Sequence, residues 1–280
     1  MINAFTVDVE DYFQVEAFSG VINRNTWDDF SCRVEANTDI ILKLLDDANV
    51  KGTFFVLGWI AKRYPGVVKK ISEMGHEVSS HGMSHQLIYN QDQNVFRNET
   101  IDSKKLLEDL SQQPVNGYRA ATYSITNKSL WALDVLCEAG FKYDSSIFPI
   151  VHDRYGISGI NTEPHVLVTE KNNSIVEFPI SVYKNRLFNL PISGGGYFRL
   201  FPYFFTKNML KSLNKKNKEF VFYIHPWEVD NKQPVVDDIS RFTKFRHYNN
   251  IDQCKDRLEK LLQDFRFSTV TEVLGNLNLL

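Results

Sequence analysis

Three carboxylates are crowded near the start of the chain. The segment AFTVDVEDYF, residues 4–13, alternates like a β-strand and then presents Asp8, Glu10 and Asp11 within four positions. Carboxylates held this close repel one another unless a proton or a cation lies among them. Such a cluster is suited to binding a metal ion, and a carboxylate that stays off the metal is suited to take a proton from water.

Two histidines four residues apart offer further metal ligands. His81 and His85 occur in SSHGMSH, and on the first turn of a helix they would share one face. The segment lacks the glutamate of the HExxH arrangement, so the HxxxH spacing alone is weak. Combined with one acid of the first cluster, the pair predicts a site of two histidines and one carboxylate. Such a site leaves positions open for water and substrate.

Three more charged residues are candidates for the same site. Arg119 in GYRAAT is suited to hold a carboxylate ionised and oriented through a charge-assisted hydrogen bond. His225 in YIHPWE is suited to protonate a leaving group. Asp144 in YDSS follows another predicted strand. Taken singly, each has an ordinary structural explanation. Arg119 could form a surface ion pair, the His225 imidazole could bind the backbone near a proline turn, and Asp144 could cap a turn.

These residues share one structural position, the end of a predicted strand. Strand-like and helix-like segments alternate, which predicts six or seven βα units and a parallel sheet, either barrel-like or doubly wound. In both architectures, working residues collect at the carboxyl ends of the strands. The predicted strands are FTVD, KGTFFVLG, HEVSSHG, VNGYRA, FKYDSS, FVFYIHP and the start of FSTVTEVL, and the predicted helices cover residues 35–50, 64–75, 91–111, 127–140 and 250–265.

The segment from about residue 147 to residue 200 breaks this alternation. It is rich in proline, glycine and asparagine, and we expect an insertion of loops and short strands lying over one end of the sheet. The expected organisation is a single catalytic domain over residues 1–280. Its core motifs lie within residues 4–228, and a C-terminal helical extension covers residues 229–280.

Composition narrows the class of protein. The 280 residues are 43% hydrophobic and carry a net charge of −2, which allows a large core and disfavours a basic nucleic-acid-binding surface. Cys32, Cys137 and Cys254 form no CxxC pair, so neither a disulfide framework nor a cysteine zinc site is expected. The first residues lack the signal-peptide pattern, and no apolar run reaches 18 residues. We therefore expect a cytoplasmic protein without stable membrane insertion.

In their order, the segments DVED, SHGMSH, YRAATYS, YDSS and YIHPWE resemble the five motifs of the NodB-homology polysaccharide deacetylases, carbohydrate esterase family 4. The resemblance runs from residue 4 to about residue 274. It is greatest to the subgroup encoded in surface-polysaccharide loci, whose first motif reads DVED followed by an aromatic residue. GGGYFR and FRHY are similar to C-terminal features of that subgroup.

The resemblance implies a distorted (β/α)7-type barrel and a divalent metal ion, with zinc expected and cobalt, nickel, manganese or iron(II) as alternatives. His81 and His85 would be metal ligands. Many members place adjacent aspartates in the first motif, but Val9 occupies the second position here. An Asp-x-Asp pattern in some relatives maps onto Glu10 as the third ligand, with Asp11 as the alternative.

The resemblance also implies the catalytic roles. Asp8 would be the general base, and Arg119 would orient it. His225 would be the general acid, and Asp144 would tune that histidine. Tyr123 falls where the family supplies a backbone N–H to the oxyanion.

One departure affects the third motif. Ala121 stands where the family usually has a proline, two residues after Arg119. The loop is then less rigid, which puts the placement of the Tyr123 N–H in doubt.

Three further residues are candidate substrate contacts. The glycine triplet of SGGGYFR, residues 193–199, lacks the GxxxxGK[ST] pattern of a phosphate loop. We expect instead a loop lining the substrate cleft, with Tyr197 or Arg199 contacting sugar or phosphate, or else a plain turn before a helix near Pro202. Trp227 either stacks on a sugar ring or fills the core.

The predicted function is metal-dependent removal of an N-acetyl or other N-acyl group from an amino sugar. The expected substrate is a nucleotide- or lipid-linked precursor of a surface polysaccharide. Two alternatives remain: hydrolysis of a cyclic amide or imide on the same barrel, and a non-catalytic carbohydrate-binding relative. The oligomeric state is not predicted.

Overall fold

A curled, mostly parallel β-sheet forms the centre of the protein, which the computed structural model describes over residues 1–152, 154–184 and 189–280. The strands are β1 (Asn3–Val9), β2 (Thr53–Val56), β3 (Glu77–Ser80), β4 (Gly117–Tyr118), β5 (Tyr143–Asp144), β6 (His165–Val168), β7 (Ser174–Glu177), β8 (Val182–Lys184), β9 (Asn189–Pro191), β10 (Val221–Ile224) and β11 (Phe267–Ser268). The helices are α1 (Val34–Asp47), α2 (Gly58–Arg63), α3 (Pro65–Glu73), α4 (Gln93–Ser111), α5 (Trp131–Glu138), α6 (Gly195–Leu200), α7 (Tyr203–Lys215), α8 (Arg241–Tyr248), α9 (Ile251–Asp264) and α10 (Val270–Asn276).

The main sheet has the strand order β10-β1-β2-β3-β4-β5-β7-β6, and β11 also pairs with β1. Every neighbouring pair is parallel except β6 and β7, which are antiparallel. Seven consecutive strands, from β10 to β7, therefore run in one direction. This arrangement confirms the α/β, distorted (β/α)7-type barrel expected for the chain.

Alternate residues of each strand enter two different cores. Phe54 and Val56 of β2 belong to the large core, together with apolar residues of α1 and α3 such as Leu45 and Ile71. Phe55 points to the other face of the sheet and packs against Tyr143. The short apolar runs are therefore buried on both faces, as parallel strands require.

The predicted helices are present with small shifts in their ends. The region predicted as one helix over residues 64–75 is α3, and a short helix that was not predicted, α2, precedes it. Helix α8 was also missed, because residues 241–248 carry few apolar residues at helical spacing. In the described part of the chain, no helix is long and apolar enough to cross a membrane.

The segment over residues 147–200 is more closely integrated than a covering insertion, although residues 153 and 185–188 lie outside the described residues. Strand β7 pairs in parallel with β5 and extends the main sheet, and β6 pairs with β7. β8 and β9 form a separate two-stranded sheet. Because no helix separates β5 from β7, the alternation of strand and helix did not reveal this strand.

The C-terminal region likewise contributes to the barrel. Strand β11 pairs with Asn3 and Ala4 of β1, and α10 follows it. The strand-then-helix pattern predicted for FSTVTEVL is therefore present. Residues 229–280 contain one strand of the sheet in addition to helices.

Candidate active site

A cleft of about 420 Å³ opens at the carboxyl ends of the central strands. Strand β1 lies between β2 and β10, so residues that follow these strands meet at one edge of the sheet. The lining side chains include acids, imidazoles, guanidinium groups and aromatic rings. Among them are Asp8, Glu10, Glu16, His81, His85, Tyr123, Arg154, Tyr155, Tyr223, His225, Trp227, Phe242, Arg246 and His247.

Glu10, His81 and His85 form a candidate metal site. Each offers one ligand atom, and these atoms lie within 4.8 Å of one another. Glu10 Oε2 is buried and accepts no hydrogen bond, although His85 Nε2 lies only 2.6 Å away. A buried carboxylate oxygen without a donor is costly, and a cation among the three ligand atoms would satisfy it. Two imidazole nitrogens and one carboxylate oxygen fit a divalent metal ion.

The surroundings shift the pKa values of His81 and Glu10 in the direction that metal binding requires. Burial lowers the pKa of His81 to about 4, so its imidazole is neutral at pH 7. His81 Nδ1 lies 2.8 Å from the Arg119 carbonyl oxygen, which leaves Nε2 as the ligand atom. Burial raises the pKa of Glu10, but His85 and His225 outweigh it and lower that pKa to about 2. The glutamate is therefore ionised.

The two histidines do not share the face of a helix. The segment from His81 to His85 is an irregular loop after β3, and His85 has a φ of 53°. Their rings come together, with centroids 5.4 Å apart, because the loop turns back. The helical expectation is therefore wrong, while the expected proximity of the two imidazoles is correct.

Asp11 faces away from the metal-ligand cluster. Its Oδ1 accepts from the Tyr12 N–H at 2.7 Å, and its Oδ2 accepts from the Val34 N–H at 2.9 Å. One carboxylate thereby caps both a 3-10 turn and the first turn of α1. The structure groups Glu10 with the histidines and gives Asp11 a structural role.

Asp8 is held from one side by Arg119, which is fully buried. Arg119 Nη1 donates to Asp8 Oδ1 at 2.7 Å and to Thr6 Oγ1 at 2.7 Å. Its Nε and Nη2 donate to the carbonyl and hydroxyl oxygens of Ser145 at 3.0 and 2.9 Å. Because the guanidinium is anchored on both edges, it fixes the orientation of the carboxylate, and Asp8 Oδ2 faces His225 Nε2 at 3.9 Å.

The carboxylate that is hydrogen-bonded to the His225 ring is Glu228, and not Asp144. Glu228 Oε1 lies 2.7 Å from His225 Nδ1, and His225 Nε2 lies 3.6 Å from Glu10 Oε1. Burial lowers the pKa of His225, but Glu10, Glu228 and Asp8 outweigh it and raise that pKa to about 9. The imidazole is therefore protonated at neutral pH. Sequence reasoning missed Glu228, although HPWE carries the glutamate that a capping box places three residues after the cap.

Asp144 instead belongs to a buried pair of carboxyl groups. It accepts from the Ser146 hydroxyl at 2.6 Å and lies opposite Glu177 in the register of β5 and β7. Burial raises the pKa of Asp144 to about 6 and that of Glu177 well above its usual range. Two buried carboxyls this close hold a proton between them at neutral pH. The predicted role of Asp144 beside His225 is therefore corrected.

The Tyr123 backbone N–H is not directed at a reacting group. It donates to the Ala120 carbonyl at 3.0 Å within a short 3-10 turn, where Thr122 and Tyr123 both have a φ near 53°. The Tyr123 hydroxyl lies 3.5 Å from Asp8 Oδ2, so it is the side chain that reaches the site. The expected oxyanion contact through this N–H is therefore not available in the structure.

The three candidate substrate contacts differ in their surroundings. Arg199 lines the cleft together with Gly195 and Gly196, as expected for this segment. It is only 1% exposed, and its donors are engaged by Glu228 and by main-chain carbonyls, so the structure does not support its predicted contact with substrate. Trp227 is 4% exposed, stacks with His225 and His247, and donates from Nε1 to Glu10 Oε1 at 3.3 Å. Tyr197 is half-buried, stacks near Phe201 and does not line the cleft.

Comparison with known proteins divides the chain into two matched parts. Residues 24–143 match the family model described as "Polysaccharide deacetylase", and residues 145–275 match a "Domain of unknown function (DUF3473)". A peptidoglycan-N-acetylglucosamine deacetylase of Bacillus cereus is 36% identical over 74 residues, which cover 26% of this chain and 27% of that protein. The chain therefore matches little more than a quarter of this relative's length. The chain is therefore similar to polysaccharide deacetylases over part of its length.

Solved structures share the fold. A protein from Mycobacterium smegmatis that is named as a polysaccharide deacetylase has a TM-score of 0.64 at 20% identity, over 98% of this chain and 89% of that chain. An allantoinase structure has a TM-score of 0.62 at 13% identity, over 97% of this chain and 88% of that chain. At these identities the likeness concerns the barrel alone.

Replacement of Glu10 and of Asp11 should have different consequences. We expect Glu10→Gln to weaken zinc binding by at least about 100-fold, since even the loss of outer-shell partners costs about 10- to 100-fold. Asp11→Asn should keep zinc affinity and lower stability by about 1 kcal/mol, because it weakens a helix cap. Calorimetric zinc titration and urea unfolding of both variants measure these effects. Loss of zinc binding in Asp11→Asn, with zinc binding retained in Glu10→Gln, would contradict the assignment of Glu10 as the metal ligand.

The Asp144–Glu177 pair should make stability depend on pH. Well below pH 4 the carboxyls are protonated in both the folded and the unfolded state, whereas at higher pH the unfolded chain releases a proton that the folded protein retains. Stability contributed by the pair is therefore lost as the pH rises towards and beyond 6. Glu177→Gln should flatten this decline by up to about 1.4 kcal/mol per pH unit.

Urea unfolding of the parent and of Glu177→Gln at pH 5, 6, 7 and 8 tests this prediction. Glu163→Gln, which alters an exposed carboxylate, is the control and should keep the slope of the parent. An identical slope for the parent and Glu177→Gln would show that the pair does not hold the extra proton.

Proposed function

We propose that the chain is a metal-dependent hydrolase that removes an N-acetyl or similar N-acyl group from an amino sugar. The observation that carries the proposal is the arrangement of two proton-transfer groups beside the metal-ligand cluster. Asp8, a carboxyl group held by Arg119, and His225, an imidazole held by Glu228, line one cleft together with Glu10. A binding protein needs neither a base nor an acid at this position.

The proposed metal ion is zinc, held by Glu10, His81 and His85. When bound, such an ion supplies Lewis-acid polarisation of the acyl carbonyl and lowers the pKa of water to about 7. Asp8 takes the proton that the attacking water loses, and the hydrogen bond from Arg119 fixes the orientation of the carboxylate.

His225 completes the reaction on the leaving-group side. As the bond between carbonyl carbon and nitrogen breaks, the electron pair of that bond stays on nitrogen, and His225 Nε2 gives that nitrogen its proton. The products are acetate and the free amino sugar. The hydrogen bond between Nδ1 and Glu228 leaves Nε2 as the nitrogen that can carry this proton towards the cleft.

The finer proposal concerns the substrate, a nucleotide- or lipid-linked precursor of a surface polysaccharide, and a cytoplasmic location. Arg154 and Arg246 line the cleft with exposed guanidinium groups. In the parts of the chain that the structure describes, no ion pair joins either group to a carboxylate. An acetamido sugar is neutral, so these cations favour a substrate that carries phosphate or another anionic group near the sugar.

Hydrolysis of a cyclic amide is the second candidate. It uses the same base and metal site, and the barrel of an allantoinase is compatible with it. Incubation with acetamido sugars and with cyclic amides, followed by mass spectrometry, separates the candidates. Loss of one acetyl mass from a sugar supports deacetylation, and ring opening of a cyclic amide without acetate release supports the alternative.

Replacement of the proposed base tests the proposal directly. Asp8→Asn should lower kcat for acetate release by about 10²- to 10⁴-fold, the usual contribution of a general base. Bound metal, measured by mass spectrometry of the element, should stay at the parent's stoichiometry because Asp8 lies outside the ligand cluster. Unchanged turnover with intact metal would remove Asp8 from the role of base.

Replacement of one cleft arginine tests the charge of the substrate. Arg246→Met should raise KM about 5-fold for a phosphate-bearing acetamido sugar, because an exposed charge pair contributes up to about 1 kcal/mol. The KM for a neutral chitooligosaccharide should change less than about 2-fold. Arg241→Met, on the same helix but outside the cleft, is the matched control. An equal rise in KM for both substrates would argue against an anionic substrate.

A further inference from the structure

Glu228 connects the proposed acid to a buried arginine. Glu228 Oε1 accepts from both the Nδ1 and the backbone N–H of His225, at 2.7 and 3.1 Å. Its Oε2 accepts from Arg199 Nε at 2.6 Å. The Glu228 side chain is 0% exposed, so both oxygens serve the protein and neither is available to substrate.

Main-chain carbonyls at the end of α8 also hold Arg199 in place. Its Nη1 donates to the carbonyl oxygens of His247 and Asn249, at 2.6 and 2.9 Å, where helix α8 ends. Carbonyls at a helix C-terminus lack intrahelical donors and carry the negative end of the helix dipole. The guanidinium therefore joins three segments: α6, the end of α8 and the turn that carries Glu228.

This network fixes which nitrogen of His225 faces the cleft. An ionised Glu228 can only accept, so the hydrogen on Nδ1 stays directed at it. Burial raises the pKa of Glu228, but Arg199 and His225 outweigh it and lower that pKa to about 2, so the carboxylate is ionised. Nε2 is then the nitrogen near Glu10 and Asp8.

We propose that Glu228, held by Arg199, is the positioning residue of the acid, and that it keeps His225 Nε2 aligned with the leaving nitrogen. This inference rests on the proposed deacetylase function. In the transfer, Nε2 gives its proton to the amine nitrogen as the C–N bond breaks, and the imidazole becomes neutral while Nδ1–H remains bound to Glu228. Arg199 of the GGGYFR segment thus acts on His225 through Glu228.

The alternative is that Arg199 and Glu228 form a purely structural ion pair that joins three segments. If the pair is purely structural, replacement of Glu228 should lower stability and change kcat by the same factor for every substrate. If Glu228 positions the acid, its replacement should lower kcat only for substrates whose leaving group needs a proton. An amine leaves only when protonated, whereas the 4-nitrophenolate of an aryl acetate leaves without a proton.

The experiment compares the zinc-loaded parent and Glu228→Gln on two substrates, an N-acetylated chitooligosaccharide and 4-nitrophenyl acetate. We expect kcat for the amide to fall by about 10²-fold or more, with KM within about 3-fold, since this is the usual contribution of general-acid catalysis. The kcat for the aryl ester should change less than about 3-fold, because its leaving group needs no proton. Glu228→Asp should restore part of the amide rate. Equal losses on both substrates, or no loss on the amide, would overturn the proposal.

A control variant and a second measurement distinguish a positioning role from a loss of stability. Arg257→Met is the matched control, because Arg257 donates to the carbonyls of Phe198, Arg199 and Phe201 but does not contact Glu228. It should lower stability and leave the ratio of the two kcat values unchanged.

The second measurement is independent of activity. Nitrogen-15 spectra of the histidine rings should show a protected Nδ1–H for His225 in the parent and in Glu228→Asp, and its loss in Glu228→Gln. A parent without deacetylase activity but with this signal would refute the proposed function and leave the orientation of His225 intact. Absence of the signal in the parent would refute the positioning role itself.

Discussion

Charge buried at the carboxyl edge of the sheet has to be paired, and the arrangement of the site depends on this constraint. An unpaired ion in a protein interior costs several kcal/mol. Arg119 and Arg199 are fully buried arginines among the residues that the structure describes, and each has a carboxylate on one side and oxygen acceptors of the main chain on the other. Such surroundings leave each guanidinium essentially one orientation.

One buried arginine fixes the proposed base, and the other fixes the residue that holds the proposed acid. Arg119 fixes Asp8, and Arg199 fixes Glu228, which in turn fixes His225. Between them lies Glu10, whose carboxylate is close to His85 and His225 and also accepts from Trp227. Orientation of the proposed base and acid before substrate arrives is the property that makes proton transfer efficient.

The topology explains how distant parts of the chain supply one site. The part that matches the polysaccharide deacetylase model contains His81, His85 and Arg119, and the part that matches the domain of unknown function contains Arg199 and His225. Strand β1, which precedes both parts, carries Asp8 and pairs with β2 on one side and β10 on the other. The C-terminal matched part therefore completes the barrel and carries the proposed acid.

The sequence by itself determined an α/β fold with a parallel sheet and the residues that follow its strands, because apolar runs and helical periodicity reflect burial. The barrel was implied only by the family resemblance. The sequence could not choose between Glu10 and Asp11, since neighbouring acids leave the backbone in different directions and only the path of the chain shows that Asp11 caps α1. The family resemblance implied that Asp144 tunes His225, whereas register places Asp144 against Glu177 and a short turn places Glu228 against His225. Only the tertiary structure decided these pairings, because the partner of a buried charge is set by which strands and helix ends are neighbours in space.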